Sequence, residues 1–435
     1  MKPESVQEVQ LANGFKALIV ERKSLPVVAT MLWYHVGSRD ERSGETGLSH
    51  FLEHMMFKGT DRYRKGEIDQ LTSKLGGSNN AFTDSDVTAY HFALASDRWE
   101  QALEIEANRM RGCALDPAEF QAEKSVVLEE LAMGEDEPLR VVHHMAESLA
   151  FQVHPYHHPV IGWKEDLERL DVETMRSYYL RNYGPNRAFL VAVGDLDFDR
   201  TARQIETLFG GIPAAAERQP VLQEPEQKGE RRAVVRFPGT VARVAIAVRT
   251  CRMGERDDFV LDLIANVLGG GKTSRLYQRL VLEDRIASGV SVHNETRRDP
   301  GLLWITAEVL EGKHPAKVEA AVREELAKLV ARGATAPELT RTRTLLRSAF
   351  LFDEETAMDL ANKLGRFEAL CPEGWRMLPK VTATFAAIGN RELVEVAGRY
   401  LQQDRFVVVW SMPQAEPEPV ASRPRAKAPK PRRRS

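Results

Sequence analysis

Two stretches of this 435-residue chain spell the same order of segments, and that recurrence restricts the fold more than any other feature. In the first half, apolar runs around the turn signal Asn13-Gly14 read as a hairpin, and PVVATMLWYHVGS reads as a buried strand. A helix follows over about Thr46 to Phe57, then a second, IDQLTSKLGG, that ends in glycines. AFTDSDVTAYHFALA, rich in Thr, Tyr and Phe, reads as one strand. Helical stretches at about 97–112 and 117–150 lead to the strand RAFLVAVGDLD. The second half begins again with the strand VARVAIAVRT and the helix DDFVLDLIANVLGGG. It continues with the strand pair GVSVHNETRRDPGLLWITAEVL, helices at about 315–332 and 336–370, and the closing strand FVVVW. The polar, proline-containing IPAAAERQPVLQEPEQKGER between the halves reads as a linker. The expected architecture is α+β: two homologous domains of about 200 residues, each a mainly antiparallel sheet packed with helices. The divisions fall at 1–212, a linker at 213–231, a second domain at 232–412, and a tail at 413–435.

The first predicted helix contains His50-Phe51-Leu52-Glu53-His54. Residues at i, i+3 and i+4 share one helical face, so two imidazoles can grip one ion with a carboxylate beside them. This is the reverse spelling of HExxH, with the same mechanics. Apolar or small flanks, Gly47-Leu48-Ser49 and Met55-Met56-Phe57, imply a buried helix, where an ionisable face needs a partner. A catalytic zinc takes three protein ligands and an open position, so a third ligand must come from elsewhere. EKSVVLEELAMGEDE supplies several carboxylates on a predicted helix, among them Glu123, Glu129 and Glu130. Aligning HFLEHMMFKGT with DLIANVLGGGK sets Asp262, Ala265 and Asn266 where the first half has His50, Glu53 and His54. One copy has liganding chemistry and the other lacks it.

GLSHFLEHMMFKGT, EKSVVLEE, GGSNNAFTDSDVTAY, HPYHHPVIG and YGPNRAFLVAVGDLD together resemble the pitrilysin/insulinase family of zinc peptidases. That family includes the mitochondrial processing peptidases and small bacterial subunits similar to them. The likeness spans roughly residues 8–412 and implies two homologous domains enclosing a cleft. It implies Glu130, 76 residues after His54, as third ligand to one Zn²⁺ per chain, and Glu123 as the carboxylate that orients the site. Glu129 fits neither the spacing nor the seven-residue pairing. Glu53 is then the general base, and Asn80, Ala81, Phe82 and Thr83 line the cleft and pair with extended peptide. His154, His157 and His158 fall in a structural loop of the family.

One family landmark is absent. Relatives have an Arg and a Tyr, seven residues apart in the second domain, that bind substrate near the metal. Here SRLYQRLVLEDRIASGV has Val281 and Ser288 at those positions. The resemblance therefore implies a zinc metalloendopeptidase subunit paired with a homologous second chain that supplies the Arg/Tyr pair. A homodimer is the other arrangement, and a non-catalytic peptide-holding or assembly subunit is the alternative function.

Composition excludes other classes. The hydrophobic fraction of 43% and charged fraction of 28% are those of soluble globular proteins. No apolar run is long enough to span a membrane, and the start has no secretory core. Cys113, Cys251 and Cys371 form no CxxC pair and read as buried thiols in a reducing compartment, so the expected location is cytoplasmic. Seven basic residues lie between Arg423 and Ser435, so the rest of the chain is more acidic than the net charge of −3 shows. The folded body is not expected to bind nucleic acid. The Pro-, Ala- and Arg-rich tail is expected to be disordered.

Overall fold

The computed structural model describes residues 5–414. The first half runs β1 (Gln7–Gln10), β2 (Lys16–Glu21), β3 (Val27–Tyr34), α1 (Leu48–Met55), α2 (Glu67–Lys74), β4 (Ser78–Thr83), β5 (Thr88–Ala95), α3 (Glu100–Gly112), α4 (Pro117–Glu135), α5 (Pro138–Ala150), α6 (Lys164–Arg169), α7 (Val172–Asn182), β6 (Ala188–Gly194) and α8 (Phe198–Phe209). The second runs β7 (Arg231–Phe237), β8 (Arg243–Arg249), α9 (Arg256–Gly269), β9 (Ala287–Glu295), β10 (Leu302–Val309), α10 (Pro315–Arg332), α11 (Ala336–Phe352), α12 (Ala357–Leu370), α13 (Leu378–Ala387), α14 (Asn390–Tyr400) and β11 (Val407–Pro413).

The two sheets repeat one topology. The first has the order β1-β2-β6-β3-β5-β4 and the second β7-β11-β8-β10-β9. β2 pairs with β6 in parallel, as β7 does with β11, and the other pairs are antiparallel. The helix that follows β3 is α1, and the one that follows its counterpart β8 is α9.

Four readings are corrected. AFTDSDVTAYHFALA is not one strand but the hairpin β4–β5, because Asp84 N–H bonds back to Val87 O at 2.8 Å across a turn. The stretch 117–150 is two helices, since Pro138 has no N–H to continue the ladder. The stretch 336–370 breaks at Asp353, and Thr356 and Asp359 form a capping box that starts α12. The expected tail begins inside structure: β11 runs to Pro413, and Gln414 N–H donates to Phe237 O at 2.9 Å. The rest of that tail, 415–435, lies outside the described residues.

No helix or strand lies between Phe209 and Arg231, yet this segment is pinned. Arg218 makes a two-pronged bond to Asp40, and Glu224 accepts the N–H groups of Gln152, Val153 and His154.

The halves are interlocked. The break before Pro138 sends α5 onto the second sheet, where Val142, Ala146 and Ala150 pack on Ala245, Ala247, Trp304, Val407 and Val409. In return α12 lays Leu360, Ala361 and Leu364 on Met31, Trp33 and Phe189 of the first sheet. Gly365 permits that approach: a Cβ there would sit 2.1 Å from the Trp33 ring. Gly365→Ala is therefore expected to cost about 1–3 kcal/mol by overpacking. The drop should appear as a lower urea midpoint at constant slope; an unchanged midpoint would mean that α12 does not seat on Trp33 in solution.

Candidate metal centre

α1 buries Leu48, Phe51, Leu52 and Met55 and turns His50, Glu53 and His54 to the other face. Its start is over-determined. Gly47 has φ +90°, and a side chain there would meet Ile161 O. The buried Glu41 carboxylate accepts from Gly47 N–H at 2.8 Å and Ser49 N–H at 2.7 Å, satisfying donors that the helix itself leaves free. Burial nevertheless pushes Glu41 up to about 8, against those two bonds.

α4 starts at Asp116, whose side chain accepts from Ala118 and Glu119, and it buries Phe120, Glu123, Val127, Leu131 and Gly134. Phe120 stacks on Phe51 at 4.7 Å, which holds α4 against α1. Glu130 then faces both imidazoles: its oxygens lie 3.7 Å from His50 Nε2 and 3.6 Å from His54 Nε2. Among the described residues, His50, His54 and Glu130 are the one trio whose ligand atoms all fall within 4.8 Å of one another. Tetrahedral zinc with bonds of about 2.0–2.2 Å sets neighbouring ligand atoms roughly 3.4 Å apart, so this donor set fits with small adjustments. Glu129 is exposed and outside the trio.

His50 is in the state a metal needs. Burial, helped by His54 and Arg140, pushes His50 down to about 4, which keeps its ring neutral. His50 Nδ1 is buried without a hydrogen-bond partner among the described residues. His54 Nδ1 lies 2.9 Å from Glu123 Oε1, which orients the ring with Nε2 toward Glu130. Glu123 is itself anchored by Lys58 Nζ at 2.6 Å. Burial raises the Glu123 carboxyl, but the bonds to Lys58 and His54 outweigh it and hold it below the ordinary range. Glu123→Gln is expected to weaken metal binding about 10- to 100-fold in a chelator competition. Unchanged affinity would sink that role.

Glu53 stands beside the trio. Burial raises its pKa, and Thr83 Oγ1 donates a short hydrogen bond to Oε2. Thr83 ends β4, an edge strand whose sole partner in the sheet is β5. Asn80, Ala81 and Phe82 precede it, with Phe82 edge-on to Trp33 at 5.4 Å.

The comparisons decide the family. Residues 16–164 match the profile described as Insulinase (Peptidase family M16), and residues 169–346 that of the Peptidase M16 inactive domain. The chain belongs to the insulinase family of peptidases, M16. It is 28% identical over 417 residues to zinc protease PqqE of Helicobacter pylori, covering 94% of this chain and 93% of that protein. It is 30% identical to an uncharacterized zinc protease of Mycobacterium bovis over 82% of each chain. The crystal structure of a protease from Helicobacter pylori superposes with a TM-score of 0.89 at 27% identity, covering 94% of this chain and 99% of that one. At 19% identity, a structure from Pseudomonas fluorescens described as a peptidase M16 inactive domain shares the fold, with a TM-score of 0.86.

Among the described residues, the second half of this M16 chain holds no counterpart of the trio. Asp262 and Asp258 share the side chain of Asn294 at 3.1 and 2.8 Å. Val281 packs against the second core, and Ser288 is the second residue of β9. Arg279 is engaged by Asp284 and Glu324, and Arg275 by Glu338. His154 serves the junction of the halves, with Nε2 3.0 Å from Asp299. Among the described residues no helix is long and apolar enough to cross a membrane. Lys58 and Arg140 escaped the reading from sequence. Lys58 was findable, since it follows His54 by four residues; Arg140 carries no such signal.

Proposed function

We propose that this chain is the zinc-bearing subunit of a metalloendopeptidase that cleaves extended oligopeptides. One observation carries the reading: His50, His54 and Glu130 converge next to a half-buried Glu53 whose carboxylate is tied to the end of an edge strand. When bound, zinc would polarise the scissile carbonyl and acidify water. The chain's own residues do the rest. Glu53, its pKa raised by partial burial, takes the proton of the attacking water and hands it to the leaving amine nitrogen. Glu123 and Lys58 keep His54 in one orientation. Asn80 to Thr83 present backbone to an extended peptide, which adds to β4 as a further strand. Ala81 N–H is bonded to Asn80 Oδ1 at 2.9 Å, so the Asn80 side chain swings away as substrate enters.

Val281 and Ser288 supply neither a guanidinium nor a phenol. A homologous second chain would bring both, which favours a heterodimer over a homodimer. The three buried free cysteines, with Cys113 pushed up to about 11 by burial, suit a reducing compartment and a cytoplasmic location. Absence of the Arg/Tyr pair also favours a second reading, a subunit that holds peptide without cutting it. The test is co-purification from the native host with metal analysis. The expected result is about one zinc per chain and a homologous partner whose addition raises the cleavage rate about 100-fold or more. Full-rate cleavage by the lone chain would overturn the split site.

A further inference from the structure

Next to the trio lies a cation that this proposed mechanism does not use. Arg140 is the third residue of α5, half-buried, and makes no hydrogen bond or ion pair among the described residues. Its guanidinium lies flat on Gly134: a Cβ there would stand 2.3 Å from Nη1 and 2.4 Å from Cζ. Gly134 has no positive φ, so its backbone does not require glycine. What the missing side chain leaves is room for Arg140. Gly134 follows Glu130 by four residues, one turn on along the same face, so the guanidinium sits about 6 Å along the helix from the third ligand. Its charge is felt at both His50 and His144.

Arg140 also lines a cavity of about 390 Å³ with His143, His144, Glu147, His293, Glu295 and Trp304. Two acids of that wall, Glu147 and Glu295, are already engaged. Arg297 binds both Glu147 and Glu295, and Trp304 Nε1 donates to Glu295 at 2.7 Å. Glu137, exposed and also in the lining, makes no ion pair with Arg140 among the described residues. A cation in the first turn of α5 stands at the wrong end of that helix's dipole, while an anion there would gain from both.

The geometry points to Arg140 as the residue that selects peptides with a carboxylate close to the scissile bond. It rests on the peptidase reading above. At about 3.3 Å per residue of extended chain, the carboxylate lies within roughly two residues of the cleaved bond. A Glu or Asp side chain and a free C-terminus present the same group.

The test uses the full-length, zinc-loaded Glu53→Gln chain and fluorescence anisotropy. The probes are Gln-based decapeptides with one Glu moved a position at a time, and an all-Gln peptide with a free or an amidated C-terminus. The best-placed Glu is expected to tighten binding about 10- to 100-fold over Gln, as a charge-assisted bond does. Adding Arg140→Gln should erase that preference. Adding Gly134→Ala should erase it too, by displacing the guanidinium, without lowering Tm. A gain from the free C-terminus alone would identify the terminus as the source; a gain from internal Glu, the side chain. Equal binding of Glu and Gln peptides, or a preference that survives Arg140→Gln, would overturn the inference. So would a loss of Tm in Arg140→Gln with the preference intact, which is what a residue that merely caps α4 would give. A parallel digest with Glu53 intact and the partner subunit present separates the two levels. Cleavage without a fixed offset from Glu defeats only the Arg140 inference, and no cleavage of any peptide defeats the peptidase reading.

Discussion

Glu53→Gln lowers kcat/KM by about 10²- to 10⁴-fold, the range of a lost general base, while zinc content and thermal stability stay at the native level. Gln has the same shape as Glu and still offers a carbonyl oxygen to Thr83 Oγ1, so the bond that ties α1 to the end of β4 persists. What disappears is the capacity to take a proton. Because Glu53 is not one of the three ligand groups, the metal stays. The measurement pairs steady-state cleavage, in the presence of the partner subunit, with metal analysis of the same sample. Unchanged processing with zinc retained would make this chain a peptide-holding subunit.

Glu130→Gln has the second large effect, on the metal itself. Glu130 is the one anionic donor of the trio and the one drawn from α4. Removing its charge leaves two imidazoles on a single turn of α1, which is too few for a catalytic site. Zinc affinity is expected to fall by more than the 10- to 100-fold expected for Glu123→Gln, and activity falls with it. Glu129→Gln is the control: Glu129 is exposed and its replacement should leave affinity unchanged. If Glu129→Gln lost the metal and Glu130→Gln kept it, the ligand assignment would be inverted.

Much of this was legible without coordinates, for a local reason. The spacing of His50, Glu53 and His54 is a property of helical geometry, and so is the seven-residue interval that sets Glu123 and Glu130 on one face of α4. The duplicated segment order survives in the two sheet topologies for the same reason, since alternation and period are local signals. The hairpin β4–β5 was missed because its turn, Asp84-Ser85-Asp86-Val87, sits inside an otherwise strand-like run. The breaks at Pro138 and at Thr356 were missed because an apolar helical period can continue across a cap.

The chain's own order of residues therefore determined the elements, the face that carries two imidazoles and a carboxylate, and the absence of such a face in the second half. Tertiary packing alone decided how these meet. Phe51 on Phe120 brings Glu130 to the imidazoles, Thr83 reaches Glu53 from the next strand, and Lys58 closes on Glu123. It also decided that α5 and α12 cross between halves, which brings Arg140 beside the metal centre. Such contacts join residues tens to hundreds of positions apart, and they depend on the burial of whole faces rather than on any local period.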